Sequence, residues 1–215
     1  MVSSAEAWRR RIEQRLRGLP EGANPGGALL ENVVGVPSAE LKALISSPCR
    51  DAAVLVGLIE RSDGVHVLLT ERAAHLVDHP GQISFPGGRL ASADEGPVAA
   101  ALREAEEEIG LVAREVEILG RLPARLTGTG FAVTPVVGWV APAFEARPDP
   151  AEVSLAFEVP VAHLLAPGIL RQTTRERYGT RFIVYEYEYG PHRIWGATAA
   201  ILRQLFEVIN AKTIR

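Results

Sequence analysis

The chain has 215 residues, of which 47% are hydrophobic, and this is enough to bury one sizeable core, so we expect one main domain. A net charge of -3 and a pI near 6.0 disfavour a nucleic-acid partner, because such proteins are typically basic. No apolar run reaches the roughly 18 residues of a membrane span, and the N-terminus lacks the apolar core of a secretory signal. Together with the single cysteine, Cys49, these features predict a cytoplasmic protein without a membrane partner.

The N-terminal part is predicted to be a helical extension. Residues 8–19 fit a short amphipathic helix, and Glu6 and Glu13 argue against reading this arginine-rich stretch as a transit peptide. We therefore expect residues 1–50 to form an N-terminal helical extension that packs on the body, and residues 51–215 to form the main domain.

The main domain is predicted to begin with a hairpin. Residues 53–59 and 65–70 are apolar strand-like runs, joined by a turn at Ser62-Asp63-Gly64. Further strands are predicted at residues 116–122, 133–140, 156–159 and 181–189, and an amphipathic helix at 197–209. Strands with helices on both sides predict an α/β fold, arranged as an α/β/α sandwich with a mixed sheet.

A dense set of carboxylates lies on one predicted helix of residues 97–109, which Pro97 suits as a first-turn residue and Gly110 as a C-cap. Glu104, Glu107 and Glu108 are spaced i, i+3 and i+4, so they share a face and repel one another unless a cation neutralises them. The predicted apolar stripe on the opposite face consists of Val98, Leu102, Ala105 and Ile109.

The carboxylates follow a glycine turn, Phe85-Pro86-Gly87-Gly88. Gly87 and Gly88 let the backbone approach a ligand closely and offer carbonyl and amide groups to a metal or a phosphate. A glutamate cluster alone is more often a solvated surface, but this context favours a divalent metal site. Oxygen ligands favour Mg²⁺ or Mn²⁺ over zinc.

The sequence REAEEEIGL at residues 103–111 resembles the second half of the signature of the Nudix hydrolases. The first half has one extra loop residue, so its acidic position falls on Asp94 when counted from Gly88 and on Glu95 when counted back from Arg103. The resemblance implies the Nudix version of the α/β/α sandwich, with a loop-helix-loop catalytic motif. It also implies metal-dependent hydrolysis of a pyrophosphate bond by an enzyme that takes a small-molecule substrate.

The stretch from Leu68 to Gly88 is similar to the coenzyme A pyrophosphatase branch of that family, except that Val77 stands where the branch pattern has an arginine. The implied reaction cleaves coenzyme A or acyl-CoA into (acyl-)4'-phosphopantetheine and adenosine 3',5'-bisphosphate. Two alternatives stay open: hydrolysis of another nucleoside diphosphate derivative, such as ADP-ribose or an oxidised nucleotide, and a Nudix-like module that binds a nucleotide without cleaving it. Further segments similar to the branch are residues 126–131, 133–137, 158–160 and 194–198.

The resemblance and the chemistry of pyrophosphate together assign candidate roles. The predicted metal ligands are Glu104, Glu107, Glu108 and the Gly88 carbonyl.

Arg103 is expected to tie the loop to the helix, with a plain surface ion pair as the alternative. The attacking water needs a base, for which one of the helix glutamates or Glu152 is a candidate, although Glu152 fits a solvated loop carboxylate as well. Arg72 and Arg89 flank the glycine turn and are candidates for holding phosphates, with surface pairing as the alternative.

The frequency of homodimers among proteins makes this oligomeric state plausible for the chain.

Overall fold

The computed structural model describes residues 4–19 and 25–210. Residues 1–3 and 20–24 of the predicted extension, and the last five residues of the predicted main domain, 211–215, lie outside the described part.

The described chain contains six α-helices, one short 3-10 helix and twelve strands. The helices are α1 (Ser4–Leu16), α2 (Pro25–Leu30), α3 (Ala39–Ser46), α4 (Pro97–Ile109), α5 (Val161–Leu164) and α6 (Gly196–Asn210), and the 3-10 helix is η1 (Ala113–Glu115). The strands are β1 (Val33–Val34), β2 (Arg50–Arg61), β3 (Gly64–Arg72), β4 (Ile83–Ser84), β5 (Gly87–Arg89), β6 (Val116–Arg121), β7 (Arg125–Leu126), β8 (Phe131–Val140), β9 (Val153–Pro160), β10 (Arg171–Arg177), β11 (Thr180–Tyr189) and β12 (His192–Trp195).

The larger sheet has eight strands and is mixed. Its main path runs β4-β3-β2-β8-β6, while β9 pairs with β3, β5 with β2 and β7 with β8. The central pair β2 and β8 is parallel, and the other pairs are antiparallel. The chain therefore returns through α4 between β2 and β8, which places this helix against the middle of the sheet.

Alternation along β2 divides the core between the two faces of this sheet. Ala53 and Leu55 pack in the cluster that contains the apolar side of α4, while Ala52 and Val56 pack in the cluster shared with α1 and α6. Successive residues of a strand point to opposite faces, so a nearly continuous apolar strand supplies both cores.

A second, four-stranded sheet was not predicted. It consists of β10, β11 and β1, with β12 also paired to β11, and Tyr185, Tyr187 and Ile194 contribute to the core below the larger sheet. The predicted α/β class and mixed sheet are confirmed. The face opposite α4 is covered by this small sheet as well as by α1 and α6.

The N-terminal region packs on the body through α1, whose Ile12 and Leu16 are buried in the core shared with α6. Ser38 begins α3, because its side chain accepts a hydrogen bond from the Leu41 N–H. The proposed division at residue 50 stays a prediction. Within residues 4–19 and 25–210, no helix combines the length and apolar character needed to cross a membrane.

Candidate active site

The helix α4 has the predicted bounds. Pro97 occupies its first turn, where a missing N–H costs no helical hydrogen bond. Gly110 ends it in the left-handed conformation, with φ of 72°, and its N–H points back to the carbonyls of Ala105 and Glu106. These two residues fix where the helix begins and ends.

The predicted apolar stripe of α4 is partly wrong, because Glu108 belongs to the buried face. Its residue surface is only 3% exposed, and Ala101 and Ala105, seven and three positions earlier, are fully buried beside it. Leu102, predicted to be apolar core, is only half-buried. Residues spaced i, i+4 and i+7 share a helical face, so Glu108 lies at the border between the carboxylate row and the core.

The glycine turn lies close to the carboxylates, while its predicted approach to a ligand stays a prediction. A Cβ atom at Gly88 would lie 2.4 Å from Oε1 of Glu104, and one at Gly87 would lie 2.4 Å from the Ala53 carbonyl oxygen. The Gly87 N–H donates to the Glu108 carboxylate. At Gly87 the added atom would meet the backbone of β2, so packing requires glycine there, whereas at Gly88 it would displace the Glu104 carboxylate.

Arg103 ties the loop to the helix. Its Nε and Nη2 donate to Oδ1 and Oδ2 of Asp94 at 3.0 and 3.1 Å, and Nη1 donates to Glu104 at 2.9 Å and to Glu107 at 2.8 Å. Nη2 also donates to the Arg89 carbonyl at 3.1 Å. One planar guanidinium thus orients the loop, the glycine strand and two carboxylates.

The acidic loop position is occupied by Asp94. Its Oδ2 also accepts a hydrogen bond from the Ala91 N–H at 2.7 Å. The Arg103 guanidinium, followed by this N–H, lowers the pKa of the Asp94 carboxyl. Glu95 is exposed, and the network around Arg103 is built on Asp94.

Burial and mutual repulsion perturb two of the helix carboxylates. Burial, followed by the charges of Glu104 and Glu152, raises the pKa of Glu108 to about 8. Burial also raises the pKa of Glu104, although its contacts with Arg103 oppose this. The structure therefore brings Glu104, Glu108 and Glu152 into one electrostatic group, in which Arg72 acts as an opposing positive charge.

Glu107 is placed differently from its two neighbours. Its side chain is 55% exposed and its carboxylate is held by Arg103. Within residues 4–19 and 25–210, no group of three or more His, Cys, Asp or Glu side chains converges closely enough to hold a metal. The role of Glu107 as a ligand stays a prediction that requires its side chain to turn from Arg103 toward Glu104 and Glu108.

The donor set nevertheless fits a hard divalent cation. Oε2 of Glu108 is buried without a hydrogen-bond partner in the described part of the chain. A buried carboxylate oxygen in that state costs free energy, which a bound cation would recover. Glu104 and Glu108 supply oxygen donors of the kind that Mg²⁺ and Mn²⁺ prefer, and the Gly88 carbonyl stays a predicted further ligand.

The two candidate phosphate arginines lie on different sides of the glycine turn. Arg72 ends β3, and the loop that follows is closed by backbone hydrogen bonds from Arg72 to Gln82 and from Gly81 to Arg72, at 3.0 and 3.1 Å. Its charge acts on Glu108. Arg89 instead directs its guanidinium toward the ring of Phe131, 5.1 Å from the ring centre.

A family model described as the NUDIX domain matches residues 50–177. A curated relative from Salmonella paratyphi B, named Uncharacterized Nudix hydrolase NudL, is 43% identical over 163 residues, which cover 76% of this chain and 84% of the relative. The crystal structure of the Nudix hydrolase RenU from M. smegmatis covers 55% of this chain and 78% of its own, with 26% identity and a TM-score of 0.47. The NUDIX domain of Shewanella oneidensis NrtR, complexed with ADP ribose, covers 60% and 87%, with 20% identity and a TM-score of 0.43.

The family model and the curated relative assign a class to this mixed α/β fold with its carboxylates on a loop-helix-loop. The chain belongs to the Nudix hydrolase family and is a pyrophosphohydrolase. Members of this family generally use divalent metal ions.

The raised pKa of Glu108 predicts how stability depends on pH when metal is chelated. Between its usual pKa of 4.5 and the folded value of about 8, the unfolded chain releases a proton that the folded chain keeps, so stability falls as pH rises across this window. Glu108→Gln removes this loss. In urea unfolding with chelator, the variant should gain on the order of 2–4 kcal/mol over the wild type at pH 8.5 and about nothing at pH 4.5. An equal difference at both values would contradict the assigned cause.

Proposed function

We propose that this enzyme cleaves the pyrophosphate bond of coenzyme A or acyl-CoA, giving (acyl-)4'-phosphopantetheine and adenosine 3',5'-bisphosphate. The observation that carries the proposal is spatial: the segment similar to the coenzyme A branch lies beside the carboxylates and acts on one of them. That segment runs from Leu68 through Arg72 to Gly88, and both of its ends lie on the larger sheet. Arg72 acts electrostatically on Glu108, while Gly87 donates to the same carboxylate.

Mg²⁺ or Mn²⁺, held by Glu104, Glu108 and the Gly88 carbonyl with Glu107 as a further ligand, would neutralise the pyrophosphate and stabilise the leaving phosphate. Arg103 holds the loop and Glu104 in place.

The proton of the attacking water needs an acceptor, and the first candidate is a helix glutamate whose carboxylate is not occupied by the metal. Glu152 is exposed and close enough to raise the pKa of both buried glutamates, so it is the second candidate for this role.

Hydrolysis of another nucleoside diphosphate derivative, such as ADP-ribose, is favoured by one observation. Val77, which replaces the arginine of the branch pattern, is 97% exposed in the loop between β3 and β4. A fully exposed apolar side chain supplies no charge for a phosphate. If the missing arginine is essential to coenzyme A recognition, the substrate is one that does not need it.

The test is a product assay with purified protein, coenzyme A and Mg²⁺, with and without chelator. We expect 4'-phosphopantetheine in the mass spectrum only when metal is free. ADP-ribose and oxidised nucleotides under the same conditions form the comparison panel. Absence of product from coenzyme A, with metal-dependent turnover of a panel member, would transfer the proposal to that substrate.

The non-catalytic alternative makes a separate claim, namely that a nucleotide binds without metal-dependent turnover of any panel member. The carboxylate arrangement of Glu104 and Glu108 argues against it. The cytoplasmic location, the exclusion of nucleic acid and membrane partners, and the homodimer stay predictions.

A further inference from the structure

The turn that carries Glu152 is attached to α4 through its backbone. The last carbonyls of a helix have no partner within the helix, and in α4 two of them accept from the segment before β9. The Arg147 N–H donates to the Ile109 carbonyl at 2.9 Å. The Asp149 N–H donates to the Glu108 carbonyl, also at 2.9 Å. The residue whose carboxylate is most deeply buried in the site therefore also holds the start of this turn.

Residues 149–152, with the sequence DPAE, form a tight turn that we call the Asp149 turn. The Asp149 carbonyl accepts from the N–H groups of Glu152 and Val153 at 3.0 and 2.8 Å. Pro150 presets the backbone at the second position of the turn and has no N–H of its own. The Ala151 N–H is thus the interior donor of the turn, and Oδ1 of Asp149 accepts from it at 2.9 Å.

The other side of the Asp149 turn is attached to the loop that follows β3. The Ala73 N–H donates to the Glu152 carbonyl at 2.8 Å. Nε2 of His75 lies 3.1 Å from the Ala151 carbonyl oxygen, and because a carbonyl only accepts, this nitrogen carries the hydrogen. The turn is therefore held between the end of α4 and the segment similar to the coenzyme A branch.

Glu152 acts on two of the predicted metal ligands from this turn. Besides burial, its charge contributes to the raised pKa of Glu104 and of Glu108, so its carboxylate lies within electrostatic reach of both. Glu152 itself is exposed, and its side chain makes no hydrogen bond or ion pair within residues 4–19 and 25–210. Its position beside the two helix carboxylates is therefore set by the backbone that carries it.

We propose that Asp149 is a positioning residue of the reaction, which holds Glu152 beside the helix carboxylates through its hydrogen bond to the Ala151 N–H. This inference rests on the proposed function in one respect, because it takes Glu152 as a participant in hydrolysis. It does not depend on which pyrophosphate compound is cleaved. A carboxylate that no side-chain contact holds loses its orientation when its backbone loosens, and a misplacement of about 1 Å can cost about 10²-fold in rate.

Two substitutions at Asp149 separate its hydrogen bond from its charge, with Mg²⁺ and a pyrophosphate compound that the wild type hydrolyses. Asp149→Ala removes the acceptor, and we expect kcat to fall about 10-fold while KM changes less than about 2-fold. Asp149→Asn removes the charge but keeps an oxygen for the Ala151 N–H, so it should restore most of the turnover. Equal losses in both variants would show that the charge matters and the hydrogen bond does not, which overturns the proposal.

A double-mutant cycle tests whether Asp149 acts through Glu152. Glu152→Gln should lower kcat at least as far as Asp149→Ala does, and combining the two should change kcat by less than about 2-fold from Glu152→Gln alone. Losses that multiply, or near-normal turnover in Glu152→Gln, would contradict the proposal. Glu145→Gln, at an exposed position between β8 and β9, makes the same charge change as Glu152→Gln and should keep normal turnover.

Amide hydrogen exchange tests the turn without turnover. Exchange at the Ala151 N–H should be faster in Asp149→Ala and close to that of the wild type in Asp149→Asn and Glu152→Gln. Unchanged protection of this N–H in Asp149→Ala would overturn the proposal whatever the substrate is.

The choice of substrate separates this inference from the proposed function. If coenzyme A is not cleaved but ADP-ribose is, the proposed function fails, while the cycle measured with ADP-ribose still decides the role of Asp149. If coenzyme A is cleaved and the losses in the cycle multiply, the proposed function stands and the positioning role is wrong.

Discussion

Glu108→Gln should lower kcat by about 10²–10⁴-fold with metal and substrate saturating. The amide keeps the volume of the side chain, but it carries no negative charge for a cation and cannot accept the proton of an attacking water. Glu108 is the deepest carboxylate of the site, and its Oε2 has no hydrogen-bond partner within the described residues, so this oxygen is available to a cation. Steady-state kinetics with the substrate found in the product assay measures the loss.

The control for this variant lies on the same helix. Glu106 is exposed and outside the network of Arg103, so Glu106→Gln makes the same change in charge and should retain turnover. A melting temperature of Glu108→Gln in the assay buffer that equals or exceeds that of the wild type excludes unfolding as the cause of lost turnover. Near-normal turnover in Glu108→Gln would remove Glu108 from the catalytic group.

The sequence was sufficient for the elements that follow a simple period or have clear ends. Pro97 and Gly110 predicted the bounds of α4, and the continuous apolar run at residues 53–59 predicted the middle of β2, which extends over Arg50–Arg61. The terminal helix α6 was found for the same reason, since its buried residues recur at helical spacing.

Elements without such patterns were missed. Every residue of β10 is exposed, so its sequence RQTTRER shows no alternation between core and solvent. α3 did carry a signal, because Ser38 lies three residues before the buried Leu41, as expected of an N-cap.

The site was predictable in composition but not in placement. Spacing alone put Glu104, Glu107 and Glu108 on one charged face, whereas contact with the sheet buries Glu108 and leaves Glu107 with Arg103. The burial of a helix residue depends on which neighbours pack against it, and those neighbours come from β2 and β5.

The extra residue in the glycine loop left the acidic position divided between Asp94 and Glu95, and the structure makes that choice testable. Asp94 is paired through both oxygens with Arg103, and its side chain is only 6% exposed, whereas Glu95 is exposed. A carboxylate that positions Arg103 acts on the reaction through Glu104 and the Arg89 carbonyl, without contacting the substrate itself. Its removal should therefore slow catalysis indirectly, because Arg103 would no longer hold the predicted metal ligand Glu104 in place.

Arg103→Ala should lower kcat/KM by ~10–100-fold, because it releases Glu104 and detaches the glycine strand from the helix. Asp94→Asn should reproduce most of this loss, while Glu95→Gln, with the same charge change one residue away, should behave as the wild type. Arg103→Lys keeps the charge but not the planar fork that serves the loop, the strand and the helix together, so it should recover little activity. Kinetics and the Mn²⁺ affinity of all four variants provide the measurement. If Glu95→Gln were the damaging substitution and Asp94→Asn were harmless, the loop would be anchored through the other acidic residue, and the network drawn around Asp94 would be wrong.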